Sequence, residues 1–133
     1  MAIVIDASIA ASWCFEDEQA AASDRVLNDL PRVGGAIPAL FWHEIRNVLI
    51  VNERRARIEP SDSARFLMRL RNLRLHHDDD HDEESVMGLA RSHSLSAYDA
   101  AYLECALRRG DILATLDRSL ATAAIAEGVS VIH

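Results

Sequence analysis

The chain has 133 residues, of which half are apolar and 26% are charged, and this size and composition predict one globular domain spanning residues 1–133 with no room for a second. Its net charge of −7 argues against a nonspecific polyanion binder that relies on bulk positive charge. All 14 cationic residues are Arg. Without Lys, a Walker-type phosphate loop, a receiver-type acidic pocket and Schiff-base chemistry are all disfavoured.

Cys14 and Cys105 lie in apolar surroundings and have neither zinc-site nor redox spacing, so we expect two buried, reduced thiols. The short apolar stretch at Met1–Ile5 meets Asp6 at once, and no apolar run approaches the roughly 20 residues needed to span a bilayer. We therefore expect a cytoplasmic protein with no membrane partner.

Apolar spacing and helix-breaking residues define the predicted elements of the first half. In chain order these are a buried strand at Ala2–Ile5, a helix at Glu18–Leu30 that Pro31 ends, a short strand at Ala36–Ile37, and a long amphipathic helix from Pro38 that turns basic at Arg54, Arg55 and Arg57.

The second half continues the alternation of helices and strands. The predicted elements are a helix at Pro60–Asn72, a strand at Leu73–His77, a helix ending near Ser92, a helix from Ser96 to Arg109 that Gly110 stops, a strand at Ile112–Leu116, a helix at Ser119–Glu127 that Gly128 ends, and a strand at Val129–Ile132. This alternation predicts an α/β fold, a layered α/β/α sheet with parallel strands and right-handed crossovers. In such sheets ligands bind beyond the carboxyl ends of the strands, where the strand order reverses.

Four acidic residues are predicted to meet at that edge. Asp6 and Asp117 follow the first and fourth strands, while Asp99 and Glu44 lie near the start of helices that begin at the same rim. Like charges packed together raise one another's pKa and destabilise the fold unless a cation neutralises them. Because hard divalent ions prefer carboxylate and water ligands, we expect Mg²⁺ or Mn²⁺ there. Such a pocket suits attack of metal-activated water on a phosphodiester.

Each of these acids also has an ordinary structural interpretation. Asp99 stands three residues after Ser96, as in a capping box, and Asp117 can cap the helix that follows it. Glu44 on a helix is by default a solvated residue. Asp6 is harder to explain in this way, because a carboxylate at the end of a buried strand needs a partner.

Four segments in their order and spacing resemble the PIN-domain ribonucleases, specifically the VapC-type toxins of bacterial toxin–antitoxin pairs. They are IVIDAS (Ile3–Ser8), IPALFWHEIRNVL (Ile37–Leu49), LSAYDAAYLECA (Leu95–Ala106) and LATLDRSLATAA (Leu113–Ala124), the last followed by Gly128 and Val129. Each match is weak alone, but together they cover almost the whole chain. The acidic positions show no departure from the family pattern.

The resemblance implies a three-layer α/β/α sandwich with a parallel five-stranded sheet and a Mg²⁺- or Mn²⁺-dependent endoribonuclease activity. It implies that Asp6, Glu44, Asp99 and Asp117 are the acidic metal-binding quartet, with Ser8, Asn47 and Thr115 supporting them as polar neighbours. It also implies a homodimer bound by a cognate VapB-type antitoxin, which typically inserts an Arg or Lys into the acidic pocket.

Two further features have functional and ordinary interpretations. The acidic and His-rich run at His76–Glu84 could bind a transition metal, but adjacent residues point apart, so we interpret it as a solvated loop that starts a helix. The locally basic middle of the chain, with Arg46, Arg54 and Arg55 as candidates, could seat RNA phosphates or consist of ordinary exposed cations. Trp13, Trp42, Phe41 and Phe66 favour the core, although helices near Phe41 and Phe66 would suit a symmetric interface.

Two other function classes stay open. One is a noncatalytic PIN-fold binding protein that acts with an antitoxin as an operator-bound repressor partner, and the intact quartet argues against it. The other is an acid-pocket phosphotransferase or phosphatase. That class is disfavoured because the first strand ends in Asp6-Ala7-Ser8, with no second Asp two residues on and no Lys in the chain.

Overall fold

A five-stranded sheet forms the centre of the molecule in the computed structural model, which describes residues 1–18 and 20–133. The strands are all parallel and lie in the order β3-β2-β1-β4-β5. They are β1 (Ile3–Ile5), β2 (Gly35–Ile37), β3 (Leu75–His77), β4 (Ile112–Ala114) and β5 (Val131–Ile132). The strand order reverses between β1 and β4, so the ligand-binding edge of such a sheet lies beyond the carboxyl ends of these two strands.

Seven α-helices in the described residues connect and cover the strands. They are α1 (Ala7–Ser12), α2 (Ala21–Val33), α3 (Leu40–Arg54), α4 (Pro60–Arg71), α5 (Glu83–His93), α6 (Ala97–Arg109) and α7 (Arg118–Ala126). Right-handed crossovers place α1 to α4 on one face of the sheet and α5 to α7 on the other. The predicted three-layer α/β/α sandwich with a parallel five-stranded sheet is therefore confirmed.

The centre of the sheet is buried on both faces, as the continuous apolar run of β1 predicted, whereas β3 at one edge is half-buried or exposed. All three residues of β1 and of β2 are buried, and side chains from both helical layers pack against them. At Gly35 in β2, a Cβ atom would lie 2.8 Å from the Leu75 side chain and 2.9 Å from that of Leu30, so this position has no space for a side chain. None of the helices in the described part of the chain combines the length and apolar character that crossing a bilayer requires.

Two helix predictions need correction. Helix α1 directly follows β1 and was not predicted, because six residues give too short a pattern to recognise. Pro31 does not end α2, which continues to Val33. Pro31 lacks the N–H that would bond the carbonyl of Leu27, so α2 continues past it with one backbone hydrogen bond fewer. The predicted range of this helix also included residue 19, which lies outside the described residues.

Other boundaries and burial expectations differ in detail. Helix α3 begins at Leu40 rather than at Pro38, and β4 and β5 are shorter than predicted. Both cysteines are free thiols, but Cys14 is only half-buried. Phe41 and Phe66 lie in the hydrophobic core, as predicted, so these two side chains are not exposed for a symmetric interface.

The interpretation of His76–Glu84 as a simple solvated loop is also wrong in part, because Asp78 is only 5% exposed. Its carboxylate accepts hydrogen bonds from Arg108, at 2.9 and 3.1 Å, and from Arg109 at 2.9 Å. Hydrogen bonds from Arg108 and Arg109 hold the pKa of Asp78 well below its usual range. The buried Glu104 in turn accepts a hydrogen bond from Arg108 at 2.6 Å. This ionic cluster ties the segment after β3 to the end of α6.

We predict that Asp78→Asn lowers the free energy of unfolding by about 3 kcal/mol, because it leaves two partly buried guanidinium groups without their shared carboxylate. A group whose pKa is depressed by folding stabilises the fold above its unfolded pKa and loses that contribution as pH falls through the folded pKa. The difference between the variant and the parent chain should therefore shrink below about pH 4.

Urea unfolding of the parent chain, Asp78→Asn and the neighbouring exposed-site control Asp79→Asn measures this effect. Asp79 is exposed, so the control should stay within about 0.5 kcal/mol of the parent chain. Equal stability of Asp78→Asn and Asp79→Asn would show that the ionic cluster does not hold the fold together.

Candidate metal-binding acidic site

Asp6 lies where β1 ends and α1 begins, and its carboxylate is buried. Its Oδ1 accepts hydrogen bonds from the Ser8 hydroxyl at 2.6 Å and from the Ile9 backbone N–H at 3.1 Å, so it caps α1. Its Oδ2 accepts a hydrogen bond from the Thr115 hydroxyl. Burial raises the pKa of Asp6, and these hydrogen bonds to Ser8, Thr115 and the backbone oppose that rise. The carboxylate is thus fixed in position at the carboxyl edge of the sheet.

The hydroxyl groups of Ser8 and Thr115, which donate hydrogen bonds to Asp6, also join β1 to the segment after β4. Ser8 Oγ accepts a hydrogen bond from the backbone N–H of Leu116 at 3.0 Å. Thr115 Oγ1 accepts one from the backbone N–H of Asp117 at 2.9 Å. Each hydroxyl therefore donates to Asp6 and accepts from the chain beside β4, which places Asp117 at the same edge as Asp6.

Asp117 and Asp99 both lie at the start of helices. Asp117 caps α7, because its Oδ1 accepts a hydrogen bond from the Leu120 backbone N–H at 2.9 Å. Ser96 caps α6 by accepting one from the backbone N–H of Asp99 at 3.1 Å. No side-chain hydrogen bond joins the carboxylate of Asp99 to any described residue, so its oxygens are free to bind a ligand.

Glu44 lies in the second turn of α3, where the buried Tyr102 hydroxyl donates a hydrogen bond to its Oε1 at 2.7 Å. Burial and the nearby charge of Asp6 raise the pKa of Glu44, and the hydrogen bond from Tyr102 opposes the rise. Sequence reasoning did not identify Tyr102. The signal was available, because Tyr102 follows Asp99 by three residues and so lies on the same side of α6.

The four carboxylates affect one another electrostatically. Partial burial and the charges of Asp117, Asp6 and Glu44 raise the pKa of Asp99 to about 6. None of the salt bridges formed by the described residues includes any of these four acids, so their mutual repulsion has no compensating side chain. We call Asp6, Glu44, Asp99 and Asp117 the acidic site.

The donor set of the acidic site fits a hard divalent cation. It offers carboxylate oxygens without thiol or imidazole groups, and the carboxylate of Asp99 has no protein partner. In the described part of the chain, no three His, Cys, Asp or Glu side chains are grouped so that they could hold a metal ion between them. Mg²⁺ does not need such a cage, because it keeps several water ligands and binds through one or two carboxylates.

The remaining predicted residues, Asn47 and three Arg residues, form no hydrogen bond or salt bridge with the four acids. Asn47 is exposed, and no hydrogen bond connects its side chain to the acidic site. Arg46, Arg54 and Arg55 are exposed on α3 or directly after it, and they form no salt bridge with the described residues. Arg57, the fourth cation of that basic segment, is paired with Asp17 at 3.0 Å and with Glu18 at 3.3 Å.

The family model described as PIN domain matches residues 3–126 of the chain. The crystal structure of PAE2754 from Pyrobaculum aerophilum is similar, with a TM-score of 0.77 and 24% identity over 99% of this chain and 90% of that one. The crystal structure of FitAcB from Neisseria gonorrhoeae has a TM-score of 0.65 and 16% identity over 98% and 96% of the two chains.

A third similar structure is a toxin–antitoxin complex from Klebsiella pneumoniae, with a TM-score of 0.62 and 18% identity over 87% of each chain. These identities are low, so the three structures support the fold alone. No curated protein sequence matches the chain.

We predict that divalent cations stabilise the protein in a pH-dependent way. An acid whose pKa is raised by folding costs stability once it ionises, so the free energy of unfolding should fall as pH rises from the ordinary pKa of 3.8 to about 6 at Asp99. Excess Mn²⁺ or Mg²⁺ should therefore raise Tm by a few degrees near pH 7.5 and have almost no effect near pH 4.5.

Asp99→Asn removes one of the repelling charges. In EDTA near pH 7.5 it should stabilise the fold by about 1 kcal/mol, after allowance for screening by solvent, and it should lose most of the increase in Tm that metal produces. Thermal melts of both proteins in EDTA, Mg²⁺ and Mn²⁺ at the two pH values measure this. A metal effect that is equal at both pH values, or absent at both, would contradict the prediction.

Proposed function

Because the chain belongs to the PIN domain family, we propose that it is a metal-dependent endoribonuclease and the toxin of a type II toxin–antitoxin pair. PIN domains are generally nucleases, and PIN-domain nucleases generally use divalent metal ions. Beyond these family properties, we propose that the substrate is RNA and that the metal ion is Mg²⁺ or Mn²⁺. We also propose that a cognate VapB-type antitoxin neutralises the activity.

The main support for a metal-dependent nuclease is the acidic site itself. Its four carboxylates lie where the strand order reverses, and none of them forms a salt bridge with a described cation. Burial of Asp6 and repulsion around Asp99 cost stability. Helix capping accounts for Asp6 and Asp117, but no hydrogen bond or salt bridge to a described residue accounts for the carboxylate of Asp99. A divalent cation bound for phosphodiester cleavage would offset the repulsion between these carboxylates. Ligand-binding sites of parallel sheets occur at this topological position.

Asp6, Asp99 and Asp117 would hold the cation, one or two of them directly and the rest through its water ligands. Glu44 would complete the site as a ligand through water or as the group that orients and deprotonates the attacking water. When bound, Mg²⁺ or Mn²⁺ supplies a Lewis acid and lowers the pKa of a coordinated water molecule. Ser8 and Thr115 hold the carboxylate of Asp6 in one orientation. Asn47 is proposed as a further supporting residue on the family resemblance alone.

Glu44 has the properties of a general base for this reaction. Burial raises the pKa of Glu44. A carboxylate whose pKa lies nearer the working pH accepts a proton more effectively than that of an ordinary Glu. In the proposed step, the water oxygen forms a bond to phosphorus and its proton passes to the Glu44 carboxylate. The bond from phosphorus to the leaving ribose oxygen breaks, and that oxygen takes a proton from solvent.

Partner and assembly follow from the same resemblance. The fold is similar to that of a toxin–antitoxin complex from Klebsiella pneumoniae, which supports the proposal that an antitoxin binds this chain. An Arg or Lys side chain of the antitoxin could form salt bridges with the carboxylates of the acidic site. We further propose a homodimer that acts in the cytoplasm, where its RNA substrate is found, with Arg46, Arg54 and Arg55 as candidate phosphate contacts.

We predict that purified, antitoxin-free protein cuts total RNA at discrete positions in Mg²⁺ or Mn²⁺, and that EDTA abolishes the cuts. Asp6→Asn should keep the fold and lower the cleavage rate by about 100-fold or more, because it removes a charge that holds the cation. Sequencing of the cleaved ends identifies the sites.

The matched control is Asp29→Asn. Asp29 lies near the C-terminal end of α2, at the opposite edge of the sheet, where it forms only surface ion pairs at 3.7 and 3.8 Å. This variant should cleave like the parent chain. Cleavage that persists in EDTA or in Asp6→Asn would exclude the proposed mechanism. Folded protein that cuts nothing in either metal would favour the noncatalytic binding protein.

We also predict that Tyr102→Phe lowers the cleavage rate by about 10-fold while the protein stays folded, because Glu44 loses the hydroxyl that orients it. Loss of this hydrogen bond should raise the pKa of Glu44 further, since Tyr102 now lowers it. The acid limb of the pH–rate profile should therefore move to higher pH. An unchanged profile together with an unchanged rate would show that Tyr102 does not position Glu44.

A further inference from the structure

Tyr98 is the one mostly exposed aromatic side chain in the described part of the chain. Its exposed fraction is 65%, whereas the other Phe, Trp and Tyr side chains are buried or half-buried. An exposed aromatic ring offers a flat apolar face that a planar ligand group can stack on. The position of Tyr98 indicates which ligand that is.

Tyr98 directly precedes Asp99 in the first turn of α6. Ser96 fixes this turn because its hydroxyl oxygen accepts a hydrogen bond from the backbone N–H of Asp99. Residues Ala100–Ala106 of the same helix are all buried. The ring therefore projects from a rigid helix, not from a loop, at the rim of the acidic site. A strand that brings a phosphodiester to Asp99 therefore reaches the same turn of α6 as Tyr98.

The net charge of the protein favours a contact with RNA that does not depend on charge. The chain has a net charge of −7, and the acidic site repels phosphate until a cation is bound. Several Arg residues are already engaged, such as Arg57 with Asp17 and Glu18, and Arg108 and Arg109 with Asp78. Stacking of a nucleobase on an aromatic ring does not depend on net charge and is a common source of binding free energy for unpaired strands.

We propose that Tyr98 stacks on an unpaired nucleobase next to the phosphate that is cleaved, and so helps to determine where the RNA is cut. The inference rests on the proposed function of the acidic site. Bases inside an A-form duplex cannot be reached in this way, because their faces are covered by neighbouring base pairs. The substrate is therefore an unpaired segment such as a loop or a single-stranded region.

Fluorescence anisotropy with short, labelled oligoribonucleotides, unstructured or fully paired, tests binding separately from cleavage. It should be measured at low temperature in EDTA and in Mn²⁺. Tyr98→Ala should weaken binding of the unstructured RNA by about 5- to 100-fold, and Tyr98→Phe, which keeps the ring, should bind like the parent chain. The control is Ile125→Ala, because Ile125 is equally exposed at 65% but lies on α7.

Steady-state cleavage provides the second readout. Tyr98→Ala should raise KM by a similar factor with little change in kcat, and sequencing should show a weaker base preference beside the cut. Equal binding by Tyr98→Ala and the parent chain, or preference for the paired RNA, would overturn the proposal. So would a loss of binding in Tyr98→Ala that accompanies a change in oligomeric state, since Tyr98 would then belong to a protein interface.

Failure of the proposed function gives a different result. If the parent chain binds unstructured RNA but cuts none in either metal, the nuclease function fails while the comparison of Tyr98→Ala with Tyr98→Phe still decides whether the ring stacks on a base. If the parent chain binds no RNA under any condition, both proposals are overturned.

Discussion

The carboxylate of Asp6 is the constraint around which the functional edge of this protein is organised. It is buried at the end of the central strand, where an unpaired charge would be unfavourable, and every partner it has is a hydrogen-bond donor without charge. Those donors come from α1 and from the segment after β4, so satisfying Asp6 also joins the two strands at which the sheet order reverses. Its position then sets that of Asp117, through Thr115.

The protein handles its buried charges in two opposite ways. Asp78 and Glu104 are neutralised by Arg108 and Arg109, which lowers the pKa of Asp78 and ties α6 to the segment after β3. The acidic site lies toward the other end of α6 and forms no salt bridge with a described cation. Partial burial and the neighbouring acids raise the pKa of Asp99. The first arrangement stabilises the fold. The second costs stability and is the kind of cost found at functional sites.

Much of the fold and the position of the acids could be predicted from sequence, because strand alternation and helix caps are local signals. Helix α6 begins after Ser96 and ends before Gly110, as predicted. Asp6 and Asp117 follow β1 and β4, whose carboxyl ends meet at one edge of the sheet. The rest depended on contacts between distant residues. The burial of Asp78 needs Arg108 and Arg109, and the role of Tyr102 needs Glu44 on another helix.

The central claim is that the four acids bind a divalent cation at the carboxyl edge of the sheet. A crystal structure of the protein with Mn²⁺, with diffraction data collected at the manganese absorption edge, tests it most directly. We expect an anomalous peak within ligand distance of Asp6 or Asp99, directly or through one water molecule. A peak confined to the His76–Glu84 segment, or crystals in excess Mn²⁺ with no peak at the acidic site, would contradict it.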